Sequence, residues 1–164
     1  MMKFFAGILM AALLTVAGLS PLRATEPQAT APSVSEAYRP KLIDIMLTVQ
    51  TRHTKLSLAG DARNWPLAEF QVEELREAFE DAEKYHPTYK DVPIKKMIET
   101  LADPAIADVE KAIAAKDHPD FVRAFRKLTA ACNNCHEAAN RSFIVIQRPA
   151  TSSFPDQSFA PQRN

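Results

Sequence analysis

The chain has 164 residues with 20 basic and 20 acidic side chains, so its formal net charge is zero. Its lysines and arginines are interspersed with acidic residues and form no basic stripe, which argues against a nucleic-acid binder. Three glycines against twelve prolines disfavour a turn-rich sheet protein and predict an all-α fold.

The N-terminus has the pattern of a secretory signal peptide. Lys3 precedes the apolar run 4–19, and a polar, proline-containing stretch follows. Because the run falls short of the roughly 20 apolar residues that cross a bilayer, we predict a signal at residues 1–24 that meets the membrane only during export. Its removal takes Lys3 and one arginine but no acid, which leaves 18 basic and 20 acidic residues and a net charge of −2. Residues 25–38, rich in Pro, Thr, Ala and Ser, are predicted to form a flexible arm.

A helical domain is predicted over residues 39–148. Its first helix starts at Pro40, whose fixed φ suits a first helical position, and runs to about Ala59, where Gly60 ends it. The apolar face of this helix comprises Leu42, Ile45, Met46, Val49, His53 and Leu56.

The second helix is predicted to follow an Asn64 cap and to end at about Tyr85, because His86-Pro87 cannot continue it. Its apolar positions are Leu67, Phe70, Leu75, Ala78, Phe79 and Ala82.

A third helical segment, 94–115, contains Asp103-Pro104, which has the form of a cap followed by a first-turn proline and predicts a break there. Asp117 opens the fourth helix, which is predicted to end before Pro149. The inward stripe of this helix comprises Phe121, Phe125, Leu128, Cys132, Cys135, Ala139 and Phe143.

Four helices of about twenty residues with short connections predict an antiparallel up-down-up-down four-helix bundle. The tail 149–164 lacks apolar periodicity and is predicted to be irregular. Phe154 and Phe159 are the side chains that would pin it to the bundle, and a solvated tail is the alternative.

Residues 132–136 read Cys-Asn-Asn-Cys-His, the C-x-x-C-H pattern in which two thiols bond a haem covalently and the histidine ligates its iron. The three-residue spacing puts both sulfurs on one face of a helix. We therefore expect one haem c, attached through Cys132 and Cys135, with His136 as the proximal ligand. Such attachment takes place outside the bacterial inner membrane, which agrees with an export signal and predicts a periplasmic protein.

Other readings of the cysteine pair stay open. A zinc site would need a further ligand from His53, His86 or His118. A thioredoxin-like pair would be expected beside a strand, which is not predicted here, and a structural disulfide leaves His136 without a role. No nucleophile-and-base arrangement or Gly-rich phosphate loop is present in the sequence, so we do not predict an enzyme.

A haem motif late in the last of four helices resembles the class II c-type cytochromes, the cytochrome c-prime type, over roughly residues 38–146. The resemblance implies thioether attachment at Cys132 and Cys135, proximal ligation by His136, and dimerisation through the first helices, which is frequent in that family. The stretch 46–68 does not match an ordinary cytochrome c-prime helix, which indicates a divergent branch.

The side of the iron opposite His136 decides the function. If the start of the first helix lies level with the end of the fourth, Met46 and His136 lie about 9 and 12 Å from that end. Met46 is then the leading distal ligand, with a core-filling methionine as the alternative. His53, about 20 Å from that end, is a less favoured ligand and is read as a hydrogen-bonded edge histidine near Arg52. His86, at the haem end of the second helix, is a weaker candidate for contact with a propionate.

A methionine ligand suits one-electron transfer between redox partner proteins, whereas an open apolar side suits binding of NO or CO. The sequence favours the electron carrier, and the gas-binding haem protein is the principal alternative.

Overall fold

The computed structural model describes residues 39–162, so the predicted signal peptide and arm lie outside the described residues. This part of the chain is a helical bundle, and it contains no strand beyond one isolated bridge between Tyr89 and Val92. Its helical elements are α1 (Leu42–Asp61), α2 (Trp65–Tyr85), α3 (Ile94–Met97), a π-helical turn (Ile98–Ala102), α4 (Asp103–Ala114) and α5 (His118–Ala138). The all-α prediction is confirmed.

Both predicted ends of α1 were wrong. Lys41 is extended, with ψ 146°, so the helix begins at Leu42 and not at Pro40. At the other end the helix passes through Gly60 and stops where Arg63 adopts a positive φ of 56°. Gly60 has a packing role instead: the Phe121 ring lies only 2.0 Å from the point that a Cβ on residue 60 would occupy.

The predicted bounds of α2 are confirmed. Asn64 Oδ1 accepts from the backbone N–H of Leu67 at 3.4 Å, and His86 follows the last helical residue. Phe70 was wrongly assigned to the apolar face: its side chain is 47% exposed and lies beneath the Arg52 guanidinium, 5.8 Å away. Position 70 faces away from the helix side that carries the buried residues Ala68, Val72 and Leu75.

The interruption predicted at Asp103-Pro104 takes a different form. Asp103 is helical and provides no side-chain cap, and the π-helical turn comes directly before it. Pro104 has no N–H to donate, and the N–H of Asp103 bonds to Ile98 O, five residues back. The helical path from Ile94 to Ala114 is therefore distorted but not capped and restarted.

The start of α5 was predicted correctly and its end was not. Asp117 caps the helix by accepting from the backbone N–H of Asp120 at 2.9 Å. The helix stops at Ala138, since Asn140 adopts a φ of 55° and Arg141 N–H turns back to the carbonyl of His136. Phe143 consequently lies beyond the helix, 77% exposed, and not on an inward stripe.

Contacts between α1 and α5 join residues in reverse order along the two helices. Phe121 packs on Gly60, and Thr129 hydrogen-bonds to His53. The core between the helices includes the fully buried Leu56, Leu75, Ile106, Val109, Phe125 and Leu128.

The tail is irregular, as predicted, and it is packed on the bundle. Phe159 lies against the core, and the Asn64 side chain donates to the carbonyls of Phe159 and Ala160, each at 3.2 Å. The Lys55 ammonium lies 4.6 Å from the centre of the Phe154 ring. Within residues 39–162, no helix has both the length and the apolar character that a bilayer crossing requires.

Candidate functional site

A cavity of about 480 Å³ lies beside the C-terminal half of α5. The five residues predicted to attach the haem or ligate its iron line this cavity: Cys132, Cys135 and His136 from α5, and Met46 and His53 from α1. The volume is within the range of about 300–1,000 Å³ that is usual for ligand and cofactor sites.

Most of the remaining lining is apolar. It includes Val49, Phe79, Ile98, Ala102, Ala131 and Ile146. Ile43 and Leu47 stand at the mouth and are 58% and 55% exposed. An apolar cavity with a few polar groups suits a large, mainly apolar group better than a free ion.

The two cysteines are free thiols, each half-buried on α5. Burial, reinforced by the neighbouring Cys135, raises the pKa of Cys132 to about 12. Burial also raises the pKa of Cys135. Thiol–disulfide oxidoreductases depend on a lowered thiol pKa, so these two side chains lack the electrostatics of such a pair.

His136 is held in one orientation by the chain that follows α5. Its Nδ1 lies 2.9 Å from the carbonyl oxygen of Ile144. A carbonyl can only accept, so Nδ1 carries a proton, and Nε2 is the nitrogen that holds the lone pair in the neutral ring. A histidine that ligates a metal through one nitrogen characteristically donates the other N–H in this way.

A second contact of the C-x-x-C-H stretch involves Asn133. Its side-chain amide donates to Ile146 O at 2.9 Å, and its Oδ1 accepts from Ile146 N–H at 2.8 Å. Neither Asn133 nor the backbone of Ile144 was predicted to belong to the site, because both contacts depend on the chain turning back after Asn140. The preference of Asn for positive φ at helix ends was the available signal.

His53 is a core residue and not the edge histidine expected near Arg52. Its side chain is 2% exposed, and its Nε2 lies 2.9 Å from Thr129 Oγ1. The Thr129 hydroxyl donates to Phe125 O at 2.9 Å, so Nε2 of His53 is the donor to Thr129. Burial lowers the pKa of His53 to about 4, which keeps the ring neutral near pH 7.

Met46 is half-buried, and it packs against the core from α1. His86 is not among the residues that line the cavity, and its Nε2 lies 2.7 Å from Pro40 O. Its placement therefore gives no support to the suggested propionate contact. Met97 and Arg141 also line the cavity, and neither was predicted to be a site residue.

The histidines needed for a zinc site are engaged elsewhere. His53 pairs with Thr129, and His118 lies 3.8 Å from Asp61. Among residues 39–162, no group of three or more His, Cys, Asp or Glu side chains could hold a metal ion. The described residues thus provide no ligand set for the zinc alternative.

Comparison of the chain with protein-family profiles, with curated proteins and with solved structures found no match. The resemblance to class II cytochromes therefore stays an expectation that depends on the haem motif and its position in α5.

Proposed function

We propose that this chain is a monohaem c-type cytochrome that transfers single electrons, with the haem bound through Cys132 and Cys135 and ligated by His136. The observation that carries the proposal is the cavity itself. It brings both thiols of the motif to one apolar space beside His136, whose Nδ1 is occupied by the Ile144 carbonyl and whose Nε2 is free to ligate.

The residues fit a covalent haem in their chemistry. Cys132 and Cys135 are three residues apart on α5, so both sulfurs reach the same face of the helix. The haem would supply an iron that changes between ferric and ferrous states. The apolar lining would limit the access of solvent to that iron, and His136 would be the residue that holds it from α5.

We further propose that the helices form the antiparallel up-down-up-down bundle of class II cytochromes. The reversed order of the contacts between α1 and α5 supports this arrangement. Counted from the contact between His53 and Thr129, Met46 lies seven residues toward the start of α1, and His136 lies seven residues toward the end of α5. At about 1.5 Å per residue, both are displaced by roughly 10 Å, which puts them level if the helices are antiparallel.

Met46 is therefore our candidate for the distal iron ligand. Its thioether lines the cavity on the helix that faces α5, at the proposed level of His136. A methionine opposite a histidine raises the reduction potential of haem iron and suits electron transfer. His53 is disfavoured, because its Nε2 is engaged by Thr129 and it lies two helical turns from Met46.

The second candidate is a five-coordinate haem protein that binds NO or CO. The packing of Met46 against the core favours it, since a methionine that fills space need not reach the iron. In that case the apolar lining would leave one side of the iron open to a small neutral gas.

The proposed setting is the bacterial periplasm, with redox partner proteins as the physiological partners. The signal-like pattern of residues 1–24 and the haem motif support the location. A homodimer through the first helices is part of the same proposal, and the exposed Ile43 and Leu47 on α1 would suit it.

The ferric spin state separates the two candidates. For an electron carrier with a Met46 ligand, visible and EPR spectra of the wild type are low-spin, and Met46→Ala makes them high-spin. Met97→Ala is the matched control, because it removes another thioether from the same cavity. A high-spin wild type excludes the Met46 ligand and favours the gas-binding protein. A switch of spin state in Met97→Ala alone would transfer the ligand role to Met97.

A further inference from the structure

The chain after α5 turns back along the helix that carries the haem motif. We call residues 141–148 the return segment. It follows the positive-φ residue Asn140, and the N–H of Ile144 bonds to Arg141 O at 2.8 Å, which tightens the turn. The turn brings the Ile144 carbonyl to Nδ1 of His136.

Two side chains hold the return segment in place. Asn133 forms a pair of hydrogen bonds with the backbone of Ile146, at 2.9 and 2.8 Å, much as a neighbouring strand would. Arg148 forms an ion pair with Asp61 at the end of α1. Both anchors follow Ile144 in sequence, and the turn from Asn140 to Arg141 precedes it, so the position of its carbonyl is set from both sides.

We propose that Asn133 is a positioning residue for the proximal ligand, acting through the return segment on the hydrogen bond between Ile144 and His136. The inference rests on the proposed function. Asn133, the first variable position of the C-x-x-C-H stretch, would thereby fix the orientation of the His136 imidazole. The hydrogen bond fixes the Nδ1–H tautomer and makes Nε2 a stronger electron donor.

The adjacent residue provides a matched control. Asn134 is exposed and belongs to the same motif, and its side chain makes no hydrogen bond to any of residues 39–162. Asn133→Ala removes both bonds to Ile146, whereas Asn134→Ala removes an amide of the same size from the same turn and leaves those bonds in place.

The test compares the haem-loaded wild type, Asn133→Ala and Asn134→Ala. Hydrogen exchange at the Ile146 amide reports its bond to Asn133. The iron–histidine stretching frequency, measured on the five-coordinate ferrous form that Met46→Ala gives to each protein, reports the proximal bond. We expect Asn133→Ala to lose protection at Ile146, to lower the stretching frequency and to raise the reduction potential. We expect Asn134→Ala to match the wild type in all three measurements.

A second variant covers the case in which Asn133→Ala does not mature. Arg148→Ala releases the far end of the return segment without changing the haem motif, and the exposed Arg126 supplies its control, Arg126→Ala. We expect a smaller shift in the same direction for Arg148→Ala. Loss of Ile146 protection in either variant with an unchanged stretching frequency overturns the positioning role, as does an Asn133→Ala protein that retains full protection. Failure of the proposed function would be seen separately, as a wild-type chain without covalent haem.

Discussion

His53 and Thr129 are joined across the interior of the bundle by a hydrogen bond of 2.9 Å between Nε2 and Oγ1. The bond connects α1 to α5 about one helical turn before Cys132. Because Thr129 gives its own proton to Phe125 O, it serves as the acceptor that a buried neutral histidine needs.

Removal of the Thr129 acceptor should destabilise the fold. Thr129→Val leaves the buried N–H of His53 without a partner, and we expect the free energy of unfolding to fall by about 1–3 kcal/mol. The measurement is denaturant unfolding at pH 7. Thr48→Val is the control, since the exposed Thr48 hydroxyl bonds to Asp44 O within its own helix, and its effect should stay within about 0.5 kcal/mol. Equal effects of the two substitutions would argue against a stabilising role for the cross-helix bond.

His53 should make the fold sensitive to mild acid. The pKa of His53 is about 4 in the folded protein and is taken as the ordinary histidine value of 6.5 in the unfolded chain. The unfolded chain therefore binds the proton first as the pH falls. The contribution of His53 to the free energy of unfolding is fully present above about pH 6.5 and is lost as the pH falls to about 4. The loss is at most about 3 kcal/mol. His53→Gln stays neutral and should remove this part of the pH dependence, whereas His118→Gln should retain it. Carboxylates titrate in the wild type and in the variant alike, so the difference between the two unfolding free energies gives the contribution of His53 alone. A difference that does not change with pH would contradict the prediction.

Gly60→Ala should be destabilising, although alanine is the better helix former by about 1 kcal/mol. The new methyl group would meet the Phe121 ring, and the required shift should cost about 1–3 kcal/mol. Thermal or denaturant unfolding of Gly60→Ala, Phe121→Ala and the double variant forms the appropriate cycle. The Gly60→Ala cost should disappear in the Phe121→Ala background. If it persists there, contact with the ring is not its cause.

Asn64 should contribute more than an ordinary helix cap. Its Oδ1 caps α2, and its amide donates to the tail at Phe159 and Ala160. Asp117→Ala removes a cap alone and should cost about 1 kcal/mol, while Asn64→Ala should cost more and should expose the tail to proteolysis. Limited proteolysis of both variants, read by mass spectrometry, tests this. A tail that is equally protected in both would show that Asn64 does not anchor it.

The elements that depend on local chemistry were predictable. Asn64 and Asp117 were predicted as caps because Asn and Asp side chains accept from the first turn of a helix, and both do so in the structure. Gly60 was misread as a helix stop, since the sequence contains no sign that Phe121 would approach the backbone there. The end of α5 was missed because the apolar spacing continues to Phe143, although Asn140 had already turned the chain.

The candidate site, too, was predictable only where the sequence carries a local signal. The motif identified Cys132, Cys135 and His136, and helix length alone put Met46 near the level of His136. The Ile144 carbonyl could not be found, because a backbone acceptor has no sequence signature and its position depends on a turn stabilised from a distance by Asn133.

Covalent attachment of haem is the most direct test of the central claim. The full chain should be produced in a host with haem-attachment machinery, extracted with acidified acetone, and examined by the pyridine haemochrome spectrum and by intact mass. We predict that the haem stays with the protein, that the chain gains the mass of one haem, and that a Cys132→Ser, Cys135→Ser double variant gains none. A wild-type chain with the mass of the polypeptide alone would contradict the account.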